Sequence, residues 1–136
     1  MATDYLKKCH SLRASLSLFK CKLLSTRLLK LGGYSRILRH CDLDLSLEDG
    51  VARVHLPLSS SSDVQFCLNG QTFTCLPNES WYMNFNLPHE VENSSERPRI
   101  HLVVDCEVND WLTEQVLCGE CYFSDDGLQL KNTTTG

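Results

Sequence analysis

Four side chains in this sequence are of types that could do chemistry together: His40 and Asp42, two residues apart in RILRHCDLD, His89 in NLPHEVEN, and Arg99 in RPRIHLVVD. In a strand, side chains two apart share a face, so His40 and Asp42 can reach one point in space. The stretch from Trp81 to Asp105 reads as a hairpin, two strands joined by a polar turn. His89 would lie on the first strand and Arg99 at the head of the second, so that the two face one cavity. Two imidazoles and one carboxylate on one face of an iron(II) ion leave three coordination positions open, an arrangement used by non-haem iron oxygenases. A 2-oxoacid could chelate through two of those positions and dioxygen could take the third. Such a cavity needs a cation for the far carboxylate, and an arginine fork grips a carboxylate through two parallel hydrogen bonds.

The same residues have plainer uses. A strand histidine is more often a hydrogen-bonded core or surface residue than a ligand. Asp42 could be a turn or capping acid among Asp44, Glu48 and Asp49, and Arg99 could pair with Glu90, Glu92 or Glu96. On spacing alone, His-x-Asp with a distant histidine matches many chains by chance.

The elements that must position these residues follow from pattern. Leu6, Cys9, Leu12 and Leu16 recur at helical spacing after Thr3 or Asp4, which predicts an amphipathic helix over 3–19. LLSTRLLKL (23–31) is apolar enough for a buried strand, which periodicity alone does not separate from a helix, and Gly32-Gly33 ends it. VARVHLPLS alternates, with Arg53 and His55 on one face and Val54, Leu56 and Leu58 on the other. DVQFCL, Asn69-Gly70 and QTFTCL predict a hairpin with a two-residue primed turn. Beyond Asp105, CEVNDWLTEQVL predicts a strand end and a short helix, and residues 116–136 have the composition of a flexible tail. One helix followed by seven or eight short strands predicts a mainly β chain, a sandwich or barrel of the jelly-roll kind.

Composition bounds the function. At 136 residues the chain holds one domain, placed here at 1–115 with the tail beyond it. The net charge of -4 argues against a nucleic-acid binder. That charge is uneven, net +8 over residues 1–40 and -12 over the rest, which predicts a basic helix face beside an acidic sheet. No signal peptide is visible, because charge interrupts MATDYLKKCHSLR before an apolar run can form. The eight cysteines therefore read as reduced, small apolar residues of a cytoplasmic protein, and Cys118-Gly-Glu-Cys121 as two thiols in a loose tail rather than a zinc ribbon. No run approaches the ~20 apolar residues of a membrane helix. The sequons at Asn78, Asn93 and Asn132 carry no weight without a secretory route.

Four blocks, RLLKLGGYSRILRHCDLDL (27–45), RVHLPL (53–58), ESWYMNFNLPHEVEN (79–93) and RIHLVVDCEVNDWL (99–112), resemble in content and order the aspartyl/asparaginyl β-hydroxylase domain family, among the iron(II)- and 2-oxoglutarate-dependent dioxygenases. The resemblance runs from about Leu6 to Leu112. It implies a double-stranded β-helix, cupin-like in architecture, with His40, Asp42 and His89 as iron ligands and Arg99 on the distal carboxylate of 2-oxoglutarate. It places Arg53 and His55 on the cavity wall, in cofactor contact or substrate anchoring. It implies hydroxylation of a C–H bond in an amino acid, or in an Asp or Asn side chain of a peptide, while 2-oxoglutarate becomes succinate and CO2. Cys41 stands in the middle of His-x-Asp where the family often has a larger polar residue. Some relatives work with two histidines and no carboxylate; Asp42 aligns this chain with the small bacterial-type members, which include hydroxylases of free amino acids such as proline. Trp81, Tyr82, Phe85 and Leu87 serve equally as the dry wall of such a site or as plain core. Two other classes remain open: a non-catalytic β-helix that binds metal, and a structural interaction domain with incidental histidines.

Overall fold

A computed structural model describes residues 18–118, 120–124 and 127–133. The elements in chain order are β1 (Leu23–Leu31), β2 (Ser35–His40), β3 (Val51–Ser59), β4 (Val64–Leu68), β5 (Gln71–Phe73), β6 (Glu79–Tyr82), β7 (His89–Asn93), β8 (Arg99–Glu107), α1 (Asp110–Cys118), β9 (Glu120–Ser124) and β10 (Gly127–Thr133). The strands form two antiparallel sheets: six strands in the order β1-β8-β3-β6-β10-β9, and four in the order β2-β7-β4-β5. The chain is mainly β, with one short helix near its C-terminus, as the alternating patterns required. The helix expected over 3–19 lies outside the described residues except for Leu18 and Phe19, which are turn and irregular backbone.

Period-two alternation sorts the side chains of the large sheet. On β3 and β8, Ala52, Val54, Leu56, Leu102, Val104 and Cys106 turn to one side, where Leu112 and Val116 of α1 complete a core cluster. Burying each such side chain contributes roughly 1.5–3 kcal/mol. Asn109 starts α1 as a cap, its Oδ1 accepting from the Leu112 amide at 2.9 Å. The opposite face of the large sheet looks toward the small one. Leu31 and Trp81 from the first pack with Val64, Phe66, Leu68, Phe73 and Val91 from the second, so one apolar layer joins the sheets.

Several expectations are corrected. β7 and β8 do not form a hairpin: β7 pairs with β2 and β4, whereas β8 pairs with β1 and β3. The polar turn between them crosses from one sheet to the other. Asn93 fixes that crossover, its Nδ2 donating to the carbonyls of Leu31, Gly32 and Arg97 while its Oδ1 accepts from Ser95 N and Oγ. With the amide fully engaged and 1% exposed, its sequon has no side chain to offer a glycan. β1 is an edge strand, and only Leu31 of it is buried. Of the described basic residues in the first 40, Arg27, Lys30, Arg36 and Arg39 lie on the edge strands β1 and β2 and Lys20 and Lys22 precede β1, none of them on a helix face; charge on an edge discourages pairing with other chains. Residues 120–124 and 127–133, expected in a flexible tail, pair with each other, and β10 adds to β6. The primed turn is as expected: Asn69 and Gly70 have φ of 48° and 85°. Cys21, Cys41, Cys67, Cys75 and Cys106 are free thiols, and among the described residues no helix is long and apolar enough to cross a membrane.

The crossover presses on Gly33, where an added Cβ would sit 2.3 Å from the Glu96 carbonyl oxygen; at Gly32 the nearest atom would be 3.5 Å away. Gly33→Ala is therefore expected to lower stability by about 1–3 kcal/mol in urea unfolding, with Gly32→Ala well below that. Equal effects at the two glycines would contradict the close approach.

Candidate metal centre

β2 is paired with β7 so that His40 and His89 stand directly opposite, after a register irregularity between Ile37 and His40. Their ring centroids are 4.3 Å apart. Each ring is oriented in the same way: Nδ1 of His40 lies 2.8 Å from the Leu38 carbonyl oxygen and Nδ1 of His89 lies 2.9 Å from that of Leu87. A carbonyl oxygen can only accept, so each Nδ1 carries a proton, and in the neutral ring that tautomer leaves the lone pair on Nε2. Metal-ligating histidines typically donate their other ring N–H to a carbonyl or carboxylate in this way.

Asp42 completes the cluster by a route other than the expected one. β2 ends at His40, so the pair is not two positions of one strand. Instead the Asp42 amide donates to the Phe85 carbonyl at 2.9 Å, which ties the chain after β2 to the loop before β7. Asp42 Oδ2 is then 3.3 Å from His89 Nε2 and 3.6 Å from His40 Nε2. One potential ligand atom from each of the three side chains lies within 4.8 Å of the others. His89 is 4% exposed against 40% for His40 and 35% for Asp42, so the cluster is walled on one side and open on the other. The wall is aromatic: Phe66 stacks on His89 at 6.1 Å and Phe85 meets it edge-on at 5.0 Å. Two imidazole nitrogens with free lone pairs and one carboxylate suit a divalent transition metal such as iron(II).

Of the four residues weighed as wall or core, Phe85 touches the site. Trp81 and Leu87 belong to the layer between the sheets. Tyr82 turns to the helix side, where its hydroxyl accepts from the Leu47 amide.

The large sheet supplies the facing wall. Arg53 is held side-on by Asp105, with Nε 2.7 Å from Oδ1 and Nη2 3.0 Å from Oδ2. Its remaining Nη1 comes within 3.6 Å of Asp42 Oδ2. His55, beside Phe85 at 5.1 Å, places Nδ1 2.9 Å from Nδ1 of His101. One of the two must donate and the other accept, so the accepting ring is neutral. Burial, with His101 next in importance, keeps His55 well below its usual pKa, and burial with the nearby Arg99 pulls His101 down to about 3.

Arg99 is 2% exposed, and its Nε has no hydrogen-bond partner. Among the described residues no acid forms a salt bridge with it; Glu90, Glu92 and Glu96, the alternatives considered from sequence, are exposed. Burial lowers its pKa, with only the Cys75 thiol acting the other way. A buried guanidinium without a carboxylate is costly, and pairing with an anion would offset that cost. His101, two residues on and on the same face of β8, has an unpartnered Nε2 as well. His101 and Asp105 were not singled out from sequence. Period two starting at Arg99 would have found both, since Arg99, His101, Val103 and Asp105 share one face.

Unfolded histidine titrates near 6.5, and His101 only near 3 in the fold, so between those values the unfolded chain binds more protons. Its contribution is complete above pH ~6.5 and is lost as pH falls toward 3, at about 1.4 kcal/mol per pH unit per histidine. Urea unfolding of the metal-free protein should give lower stability at about pH 5 than at about pH 7.5, and His101→Leu should flatten that slope. A slope unchanged by the substitution would contradict neutral burial.

Comparison with known proteins adds the remaining link. Residues 3–108 match the model of the aspartyl/asparaginyl beta-hydroxylase family. Over 82 residues the chain is 30% identical to L-proline cis-4-hydroxylase of Rhizobium meliloti (strain 1021); that stretch is 60% of this chain and 29% of the relative. The chain thus spans less than a third of the length of that curated relative. Because the family match takes in both histidines, Asp42 and Arg99 and runs over most of the sequence, this chain belongs to the aspartyl/asparaginyl β-hydroxylase family.

Proposed function

We propose that the protein is an iron(II)- and 2-oxoglutarate-dependent dioxygenase whose two sheets are the walls of a double-stranded β-helix. The observation that carries this reading is Arg99, a buried cation with no acidic partner among the described residues, on the sheet that faces a His-Asp-His cluster. Structural metal sites have no need of such a residue. A diacid co-substrate does, because one carboxylate can approach the metal while the other is gripped by the guanidinium.

In this reading His40, Asp42 and His89 hold the iron through two Nε2 atoms and one carboxylate oxygen. The Leu38 and Leu87 carbonyls keep both rings in the ligating tautomer. Arg99 binds the distal carboxylate of 2-oxoglutarate, and neutral His55 and His101 line the space without adding charge that would repel the metal. Phe66 and Phe85 exclude water from the buried side. Iron, 2-oxoglutarate and dioxygen bound there supply the oxidation itself, C–H to C–OH in the substrate with 2-oxoglutarate going to succinate and CO2. Substrate enters on the open side, where His40 is exposed and Asp42 half-buried. The likeness to a proline hydroxylase favours a free amino acid over an Asp or Asn side chain in a peptide. The openness of the site also fits a metal-binding domain without turnover, and one assay separates the two.

The protein loaded with iron(II) and ascorbate is expected to release succinate from 2-oxoglutarate when offered a panel of free amino acids and Asp- or Asn-containing peptides. His89→Ala should abolish release. Arg99→Ala should retain metal binding but require roughly 100-fold more 2-oxoglutarate, the equivalent of about 3 kcal/mol of lost charge-assisted hydrogen bonding. Metal binding with no succinate from any substrate would leave the non-catalytic reading; a 2-oxoglutarate requirement unmoved by Arg99→Ala would remove the co-substrate site from β8.

A further inference from the structure

Arg53 and Asp105 face each other directly across β3 and β8. Their side-on pair uses both carboxylate oxygens of Asp105 and one whole edge of the guanidinium. The free corner, Nη1, is left 3.6 Å from Asp42 Oδ2, too far for a hydrogen bond. That same oxygen is the Asp42 atom nearest both imidazole Nε2 atoms. Arg53 is therefore poised beside the oxygen that a metal would use, and is held just short of it.

We propose that Asp105 is a positioning residue for the metal centre, keeping the Arg53 guanidinium edge-on so that it cannot close onto Asp42 and take the carboxylate from the metal. This rests on the metal-binding reading above and extends it to a residue that touches no ligand position. Both partners are mostly buried, with side chains 18% and 14% exposed, so their attraction is little screened. Arg27, 4.0 Å from Asp105 on its open side, adds a second cation there. While Asp105 is in place, Arg53 is neutralised by it and the charge of Asp42 remains available to a cation. Without Asp105, Asp42 is the one carboxylate left that the structure places against Arg53, and the two would close into a direct ion pair.

The test is Co(II) titration of the full chain, followed by the visible absorbance of the bound ion, with far-UV circular dichroism and Tm as folding checks. Asp105→Asn keeps the size of the side chain but loses its charge and half its acceptor capacity, and should weaken Co(II) binding about 10- to 100-fold. Arg53→Ala alone should bind Co(II) at least as tightly as the wild type. The double variant R53A/D105N should recover to within a few-fold of Arg53→Ala, a rescue that a purely structural role of Asp105 would not produce. If D105N fails to fold, Arg53→Lys serves instead: its ammonium cannot make the side-on pair, can reach Asp42, and should bind Co(II) more weakly than Arg53→Ala. D105N binding like the wild type, a double variant as weak as D105N, or Arg53→Lys equal to Arg53→Ala would each overturn the proposal while leaving the metal site standing. A wild type that binds no Co(II) would overturn both.

Discussion

The antiparallel pairing of β2 with β7 is the constraint on which the site depends. It places His40 and His89 at one register position, and a break in the ladder after Ile37 lets His40 arrive there. Both rings then turn Nδ1 back to a carbonyl two residues upstream, so backbone groups at the strand ends do the orienting. A shift of one residue in either strand would send one imidazole to the outer face and dissolve the cluster. The hydrogen bond that the Asp42 amide donates to the Phe85 carbonyl brings in the third potential ligand at the end of a strand where side chains would otherwise diverge.

The wall opposite shows how a sheet face can carry charge and still be buried. Arg53 is answered by Asp105, and the two histidines are held neutral by burial and by each other. Arg99 has no carboxylate partner among the described residues, and its Nε is without a hydrogen bond. The other face of the same sheet is apolar and packs on α1. One sheet thus divides its labour by residue parity, stability on one side and polar chemistry on the other.

The crossover after β7 links these two halves. Asn93 gathers three carbonyls from the end of β1 and from the turn, and Gly33 gives the turn room to pass. What this fixes is the start of β8, and with it the depth at which Arg99 enters the layer between the sheets.

Much of this was legible in the amino-acid order. Alternation in VARVHLPLS separated Arg53 and His55 from Val54 and Leu56, and Asn69-Gly70 specified its turn, because side-chain parity and positive φ are local properties. The candidate ligands His40, Asp42 and His89, and Arg99 beside them, were picked out by residue type and by resemblance. Pairing beyond that one hairpin was not legible. A polar turn between two strands looks the same whether the strands pair or part, so β7 and β8 read as a hairpin although they lie in different sheets. The polar composition after Cys118 concealed strands whose partners are at Glu79–Tyr82, far away in sequence. The clamp of Arg53 by Asp105 joins residues 52 positions apart. Sequence by itself determined which face each side chain takes along its own strand, because that follows from the backbone's period of two. Only the tertiary structure decided which strands stand together, because strand pairing is set by hydrogen bonds and burial between distant segments.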